Sequence, residues 1–157
     1  MATLVDQLIL HEGLQLKPYS DTTGHLTIGV GRNLSDVGIS EDEARFLLAH
    51  DLQWCERRLR QYWPWTDQLD SIRRRVLLDM LFNLGLAKFT QFQKFLTLCE
   101  VQSFGRAAEE MLESLWAHQV GRRAERLSGM MRTGQDYDSR EAMTAVSTAF
   151  PMRMKGR

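Results

Sequence analysis

One short β-rich stretch, His25-Leu26-Thr27-Ile28-Gly29-Val30-Gly31, interrupts a chain whose other apolar residues recur at steps of three and four. Alternation bounded by turn formers points to strands, and the three-and-four spacing points to helices. Lys17-Pro18-Tyr19-Ser20-Asp21-Thr22-Thr23-Gly24, just before it, is dense in turn residues, so a small hairpin or three-stranded sheet is expected. The fold class that follows is α+β and mostly helical. Its expected parts are a small N-terminal β lobe over 13–39, an inter-lobe helix over 40–62, a larger helical lobe over 63–150 that also takes helix 3–12, and a basic tail over 151–157.

Local signals set the elements. Thr3 can cap a first helix that carries Leu4, Leu8 and Glu12 on one face, with Gly13 as a left-handed stop. Ser40-Glu41-Asp42-Glu43 has the Ser-x-x-Glu form of a capping box, and Ala44, Leu48, Leu52, Cys55, Leu59 and Tyr62 continue a helix of about twenty residues behind it. Trp63-Pro64-Trp65 ends that helix, because proline does not fit a helix interior. Helical spacing resumes at Asp67 and closes at Gly85, then runs over Phe89–Leu98 and Phe104–Trp116. Beyond, the composition is helical to about Phe150, with Gly121, Gly129 and Gly134 as breaks.

Twenty Lys and Arg balance twenty Asp and Glu, so no net field recruits nucleic acid or an anionic membrane. The basic runs at Arg57–Arg60, Arg73–Arg75 and Arg122–Arg126 read first as solvated helix faces, and second as contacts for an anionic wall polymer. Cys55 and Cys99 lie in apolar helical patterns and are expected as reduced, small hydrophobes. The N-terminal sequence has neither the basic start nor the long apolar run of an export signal or membrane anchor, which implies synthesis in a cytosol. His11, His25, His50 and His118 lack metal-ligand spacing, and neither a phosphate loop nor a Gly-x-Ser-x-Gly elbow occurs. No metal and no cofactor are expected.

Glu12 and Asp21 flank the entrance to the β segment. Two carboxyl groups can cut a glycosidic bond when one stays protonated to help the leaving oxygen depart and the other stays ionised to activate water. Glu12, ending an apolar stripe, is expected to be desolvated and to serve as the acid; Asp21, in a polar turn, is expected to remain ionised.

The ordered series His11-Glu12-Gly13-Leu14-x-Leu16-Lys17-x-Tyr19-x-Asp21-Thr22-x-Gly24-x-x-Thr27-Ile28-Gly29-Val30-Gly31 resembles the phage-type lysozymes, glycoside hydrolase family 24. Ser40-Glu41-Asp42-Glu43-Ala44, Phe82-Asn83-Leu84-Gly85, Arg122-Arg123-Ala124-Glu125-Arg126 and Arg132-Thr133-Gly134 extend the resemblance from about Leu8 to Tyr137. It implies a lysozyme-like fold and a muramidase that hydrolyses the β-1,4 bond between N-acetylmuramic acid and N-acetylglucosamine, with inversion. Glu12 would be the acid, Asp21 the second carboxylate and Thr27 a residue that helps position the water; Phe82 would line the cleft and Arg123 approach Glu12. The implied partner is peptidoglycan, met by a monomer without stable membrane insertion that is released to the periplasmic wall by a separate hole-forming protein. A lytic transglycosylase needs the acid but no water-positioning pair, so Asp21 and Thr27 weigh against it. A non-catalytic wall-binding antibacterial module would rely on the basic helices instead.

The chain departs from the family in two places. Only Arg32 to Ile39 separates Gly31 from Ser40, where larger members carry an extra helix, so a pared-down β lobe is expected. Arg32 also stands where many members have histidine, and by the same resemblance it is expected to pair with Asp51.

Overall fold

The structure, a computed structural model, describes residues 2–137; the expected helical stretch toward Phe150 and the basic tail lie outside the described residues. The elements in order are α1 (Leu4–Glu12), β1 (Gln15–Ser20), β2 (Leu26–Gly29), β3 (Arg32–Asn33), α2 (Glu41–Tyr62), α3 (Ser71–Leu84), α4 (Leu86–Phe89), α5 (Gln93–Glu100), α6 (Phe104–Leu112), α7 (Leu115–Val120) and α8 (Arg122–Thr133). This is the expected α+β fold: mostly helical, with one small N-terminal sheet and a helical C-terminal region. Two compact units result, Met1–His50 and Asp51–Arg157, with the boundary falling inside α2.

In the first unit, Thr3 caps α1 through a reciprocal pair: its hydroxyl accepts from the Asp6 N–H, and the Asp6 carboxylate accepts from the Thr3 N–H. Gly13 ends the helix at φ 79° and ψ 168°. The positive φ matches expectation, but the extended ψ sends the chain straight into β1 rather than through a left-handed helical cap. The sheet order is β1-β2-β3, antiparallel throughout. Gln15 lies opposite Gly29 and Tyr19 opposite Thr27, so β1 spends four residues where β2 spends two. Such an excess bends a strand, and Pro18, which has no N–H for the ladder, falls inside the bend.

The Ser40 capping box forms as read: Glu43 N–H donates to Ser40 Oγ, and Ser40 N–H donates to the Glu43 carboxylate. Glu43 also receives Arg32, whose Nη2 lies 2.9 Å from Glu43 Oε2 while its Nε donates to the Gly38 carbonyl at 3.0 Å. Asp51 is therefore not the carboxylate that Arg32 holds. It lies about two helical turns further along α2, whereas the short connector Arg32–Ile39 returns Arg32 to the start of that helix. The Ser40 N–H and hydroxyl, with Arg32 beside them, hold the Glu43 carboxyl below the usual range.

The second unit is built around α3, whose Val76, Leu77, Met80 and Leu81 are buried at helical spacing. Asp70 caps it by accepting from the Arg73 N–H. Around it pack Cys55 and Leu59 of α2, Phe89, Phe95, Leu96, Cys99, Met111, Trp116, Leu127, Met130 and Met131. Ala107 and Ala108 on α6 keep the approach to α8 close, and Ser128 of α8 donates to the Ala108 carbonyl at 3.0 Å. Both cysteines are free and buried, as expected; burial pushes the Cys99 thiol up to about 12.

Three sequence-based breaks fall elsewhere. The run from Phe89 to Leu98 divides into α4 and α5, with Thr90 Oγ1 closing the first piece on the Ala87 carbonyl. Phe104 to Trp116 divides at Ser114, whose hydroxyl donates to Met111 O at 2.6 Å and accepts from Ala117 N–H at 3.2 Å, so one side chain ends α6 and caps α7. Gly129 is no break: it sits inside α8, which stops at Gly134 in the left-handed conformation at φ 69°.

Candidate active site

Asp21 follows the last residue of β1, and its N–H bonds to the His25 carbonyl at 2.9 Å, extending the β1–β2 ladder by one step into the turn. Three donors converge on its Oδ1: the Thr23 N–H at 2.8 Å, the Thr23 hydroxyl at 2.8 Å and the His25 N–H at 2.9 Å. The Thr23 hydroxyl, then the His25 amide, hold this carboxyl below the usual aspartate range. Asp21 is thus ionised around neutrality, and the polar turn is the cause, as expected. Among the described residues no donor reaches Oδ2, so the carboxylate is fixed through one oxygen and offers the other.

Thr27 lies on β2 directly opposite Tyr19, two residues before Asp21. Directly opposed residues share a sheet face, and side chains two apart on a strand return to it, so the ladder places Asp21 and Thr27 toward one face. Thr27 is 4% exposed, and its hydroxyl donates to the His25 carbonyl at 3.2 Å, which leaves its lone pairs available to accept. Glu12 is the last residue of α1, in the same compact unit as Asp21. It is exposed, not buried: α1 has no buried residue, so the apolar stripe does not desolvate the carboxyl as the sequence led one to expect.

Phe82 and Arg123 belong to the second unit. Phe82, on α3, is 43% exposed and lines a cavity of about 330 Å³ with Asp51, Trp54, Cys55, Leu81 and Gly85. It is not a core residue. Arg123, near the start of α8, gives both Nε and Nη2 to Asp79 Oδ1, each at 2.8 Å. The basic runs are largely paired as well: Arg60 and Arg74 share Asp67, Arg73 holds Asp70, and Arg75 holds Asp136. Solvated structural faces therefore describe Arg60 and Arg73–Arg75 better than an open cationic surface does. Among the described residues no cluster of His, Cys, Asp and Glu could hold a metal ion, and no helix is long and apolar enough to cross a membrane.

Sequence reasoning missed Thr23, His25 and Trp54. Asp21-Thr22-Thr23 carried a usable signal, since aspartate commonly accepts from the backbone two residues on. Nothing in the spacing marked His25 or Trp54.

A mostly helical chain with one small N-terminal sheet, and an ionised aspartate at that sheet's first turn, is of the lysozyme class of glycosidases. The chain belongs to the phage lysozyme family, whose model matches residues 10–136. It is 26% identical over 163 residues to "Probable T4-type lysozyme 1" of Dictyostelium discoideum, covering 85% of this chain and 96% of that protein. It is 29% identical over 128 residues to "Endolysin" of Salmonella phage P22, covering 71% of this chain and 79% of that one. A further relative is the "Pre-baseplate central spike protein Gp5" of Enterobacteria phage T4, 26% identical over 160 residues, where the match covers 84% of this chain but 28% of the other.

Proposed function

We propose that this lysozyme hydrolyses the β-1,4 bond between N-acetylmuramic acid and N-acetylglucosamine in bacterial peptidoglycan, and that it acts as an endolysin on the periplasmic wall of its host. The observation that carries this reading is the asymmetric anchoring of Asp21: Oδ1 is saturated by three donors and Oδ2 by none. A carboxylate held this way offers one ionised, fixed oxygen to a water. The Thr27 hydroxyl, with its own proton committed to the His25 carbonyl, can accept the water's second hydrogen. Both hydrogens are then engaged, and the water's lone pair is left to attack the anomeric carbon as the proton on Oδ2 departs. Glu12 supplies the proton to the leaving oxygen, and its exposure at the end of α1 leaves it open to a polymeric substrate. Attack by water rather than by the carboxylate gives inversion.

Phe82 offers an aromatic surface for the sugar, and export through a separate hole-forming protein would bring the monomeric enzyme to its wall. Mass spectrometry of the products on purified peptidoglycan tests the chemistry: reducing ends support hydrolysis, whereas anhydro ends would make the protein a lytic transglycosylase. Glu12→Gln is expected to lower kcat by about 10²- to 10⁴-fold, the usual worth of a general acid, with an unchanged melting temperature. Full activity in that variant would remove Glu12 from the mechanism, and killing without hydrolysis would favour a wall-binding module.

A further inference from the structure

Asp21 is one end of a polar chain that runs through Thr23 and His25 to Asp36. The Thr23 hydroxyl donates to Asp21 Oδ1 at 2.8 Å and also lies 2.7 Å from His25 Nδ1. On the far side of the ring, Nε2 stands 3.5 Å from Asp36 Oδ2. Asp36 is itself held in the turn after β3, where its N–H and carboxylate bond the Asn33 side chain, each at 2.9 Å. Among the described residues, Asp21 and Asp36 are the charged groups facing the ring.

Counting protons limits the states of this chain. A hydroxyl has one hydrogen to give, and a neutral imidazole has one N–H. With the Thr23 proton on Asp21, the 2.7 Å contact to Nδ1 is a hydrogen bond only if Nδ1 carries a hydrogen. Nε2 meets a carboxylate favourably only if it carries one too. The imidazolium alone satisfies both. In the neutral ring, a proton on Nε2 draws the Thr23 hydrogen toward Nδ1 and strips Asp21 of one donor, whereas a proton on Nδ1 turns the Nε2 lone pair against Asp36.

We propose that His25 is a positioning residue for Asp21: held as imidazolium on Asp36, it donates to Thr23, commits the Thr23 hydroxyl to Asp21 Oδ1, and so fixes which carboxylate oxygen faces the reacting water. This rests on the reading of Asp21 as the residue that activates water. When pH rises and the ring loses its proton, Asp21 keeps its two backbone donors and loses the firm third. The rate then steps down to a lower plateau without vanishing.

The test measures kcat and KM on soluble peptidoglycan fragments between about pH 5 and 9, a range in which histidine can titrate, for the parent, His25→Gln, His25→Phe and Asp36→Asn. NMR follows the His25 ring in the parent and in Asp36→Asn. The parent should show a step in kcat whose midpoint coincides with the ring titration. His25→Phe, lacking a donor, should sit on the low plateau at every pH, about five- to tenfold below the parent's high plateau, the scale of one partly solvated hydrogen bond to an ionised group, with KM unchanged. His25→Gln restores an N–H toward Thr23, so it should regain the high plateau and lose the step. Removing the Asp36 charge should move the step and the ring titration together to lower pH. Glu12, as the acid, adds an alkaline limb of its own that persists in all four proteins.

A His25→Phe protein with the parent's rate and step overturns the proposal. If that variant fails to fold, a step in the parent that does not follow the ring titration overturns it instead. Asp21→Asn separates the layers: an inactive Asp21→Asn beside a parent-like His25→Phe sinks the proposal alone, and an active Asp21→Asn sinks both it and the reading of Asp21.

Discussion

Arg73 ties α3 to the end of α8. From the first turn of α3 its Nε donates to the Met131 carbonyl at 2.8 Å and its Nη2 to the Arg132 carbonyl at 3.1 Å, while Nη1 meets Asp70 Oδ2 at 2.7 Å. The guanidinium also lies over the Phe104 ring, 3.9 Å from its centroid, and the side chain is 16% exposed. The α8 carbonyls would otherwise have no intrahelical partner. Arg73→Met keeps the unbranched apolar stem and deletes the fork. A hydrogen bond from a charged donor contributes about 1.5–3 kcal/mol. Water can replace the fork at the exposed Arg132 carbonyl, less so at Met131. The ring contact adds roughly 0.5–1 kcal/mol, and the terms overlap because one group makes them all. The expected loss is about 2–4 kcal/mol, which for a chain of this size lowers the melting temperature by roughly 4–16 °C. Arg73→Lys should recover less than half of that, since a single ammonium cannot span two carbonyls. Chemical denaturation of the three proteins measures this. A change below about 0.5 kcal/mol in the methionine variant would show that α8 holds its place without the fork, and the reasoning would fail.

Asp70 gives the pH counterpart: burial pushes its carboxyl up, but the Arg73 N–H and guanidinium outweigh this and hold it below the usual range. A depressed folded value stabilises the protein above the unfolded pKa of about 3.9, and that stability is lost as pH falls through the lower folded value. Asp70→Asn, which can still cap α3, should therefore show a shallower fall in melting temperature below about pH 4 than the parent; parallel curves would contradict it. Cys99, fully buried with its thiol at about 12, should react with a thiol reagent only at the rate of unfolding, so labelling that ignores added denaturant would place it nearer the surface. Phe82→Ala should raise KM by roughly three- to tenfold through lost aromatic contact with little change in melting temperature, because the ring is 43% exposed. A stability loss without a KM change would make Phe82 a packing residue.

Elements whose cause is local were legible from residues alone. Thr3, Ser40 and Asp70 each cap the helix behind them, and the Pro64 stop falls at the residue read from the sequence. Where the deciding partner is distant or serves two elements, the reading slipped. Ser114 looked like one more polar residue in a helical run, yet its hydroxyl closes α6 and opens α7. Gly129 looked like a break because glycine is a poor helix former, but α8 packs on α6 and packing outweighs a penalty of about 1 kcal/mol. Arg32 was assigned to Asp51 by likeness to longer relatives. With the connector shortened to Arg32–Ile39, the Ser40 cap and Glu43 stand within its reach first.

The candidate site follows the same division. The residue types and order around Glu12, Asp21 and Thr27 are a linear property, and the sequence shows them. Which oxygen of Asp21 is anchored is not linear, for it depends on a five-residue turn folding so that one hydroxyl and two amides meet a single atom. That convergence also explains why the turn can vary in sequence and keep its chemistry: two of the three donors are backbone N–H groups, which any non-proline residue supplies. Only the third depends on a side chain, that of Thr23, and Thr23 in turn touches His25. Variation at those two positions therefore leaves an ionised aspartate in place and changes how firmly its reacting oxygen is aimed, so differences in rate and pH response among such turns should trace to positions 23 and 25 before they trace to the carboxylate itself.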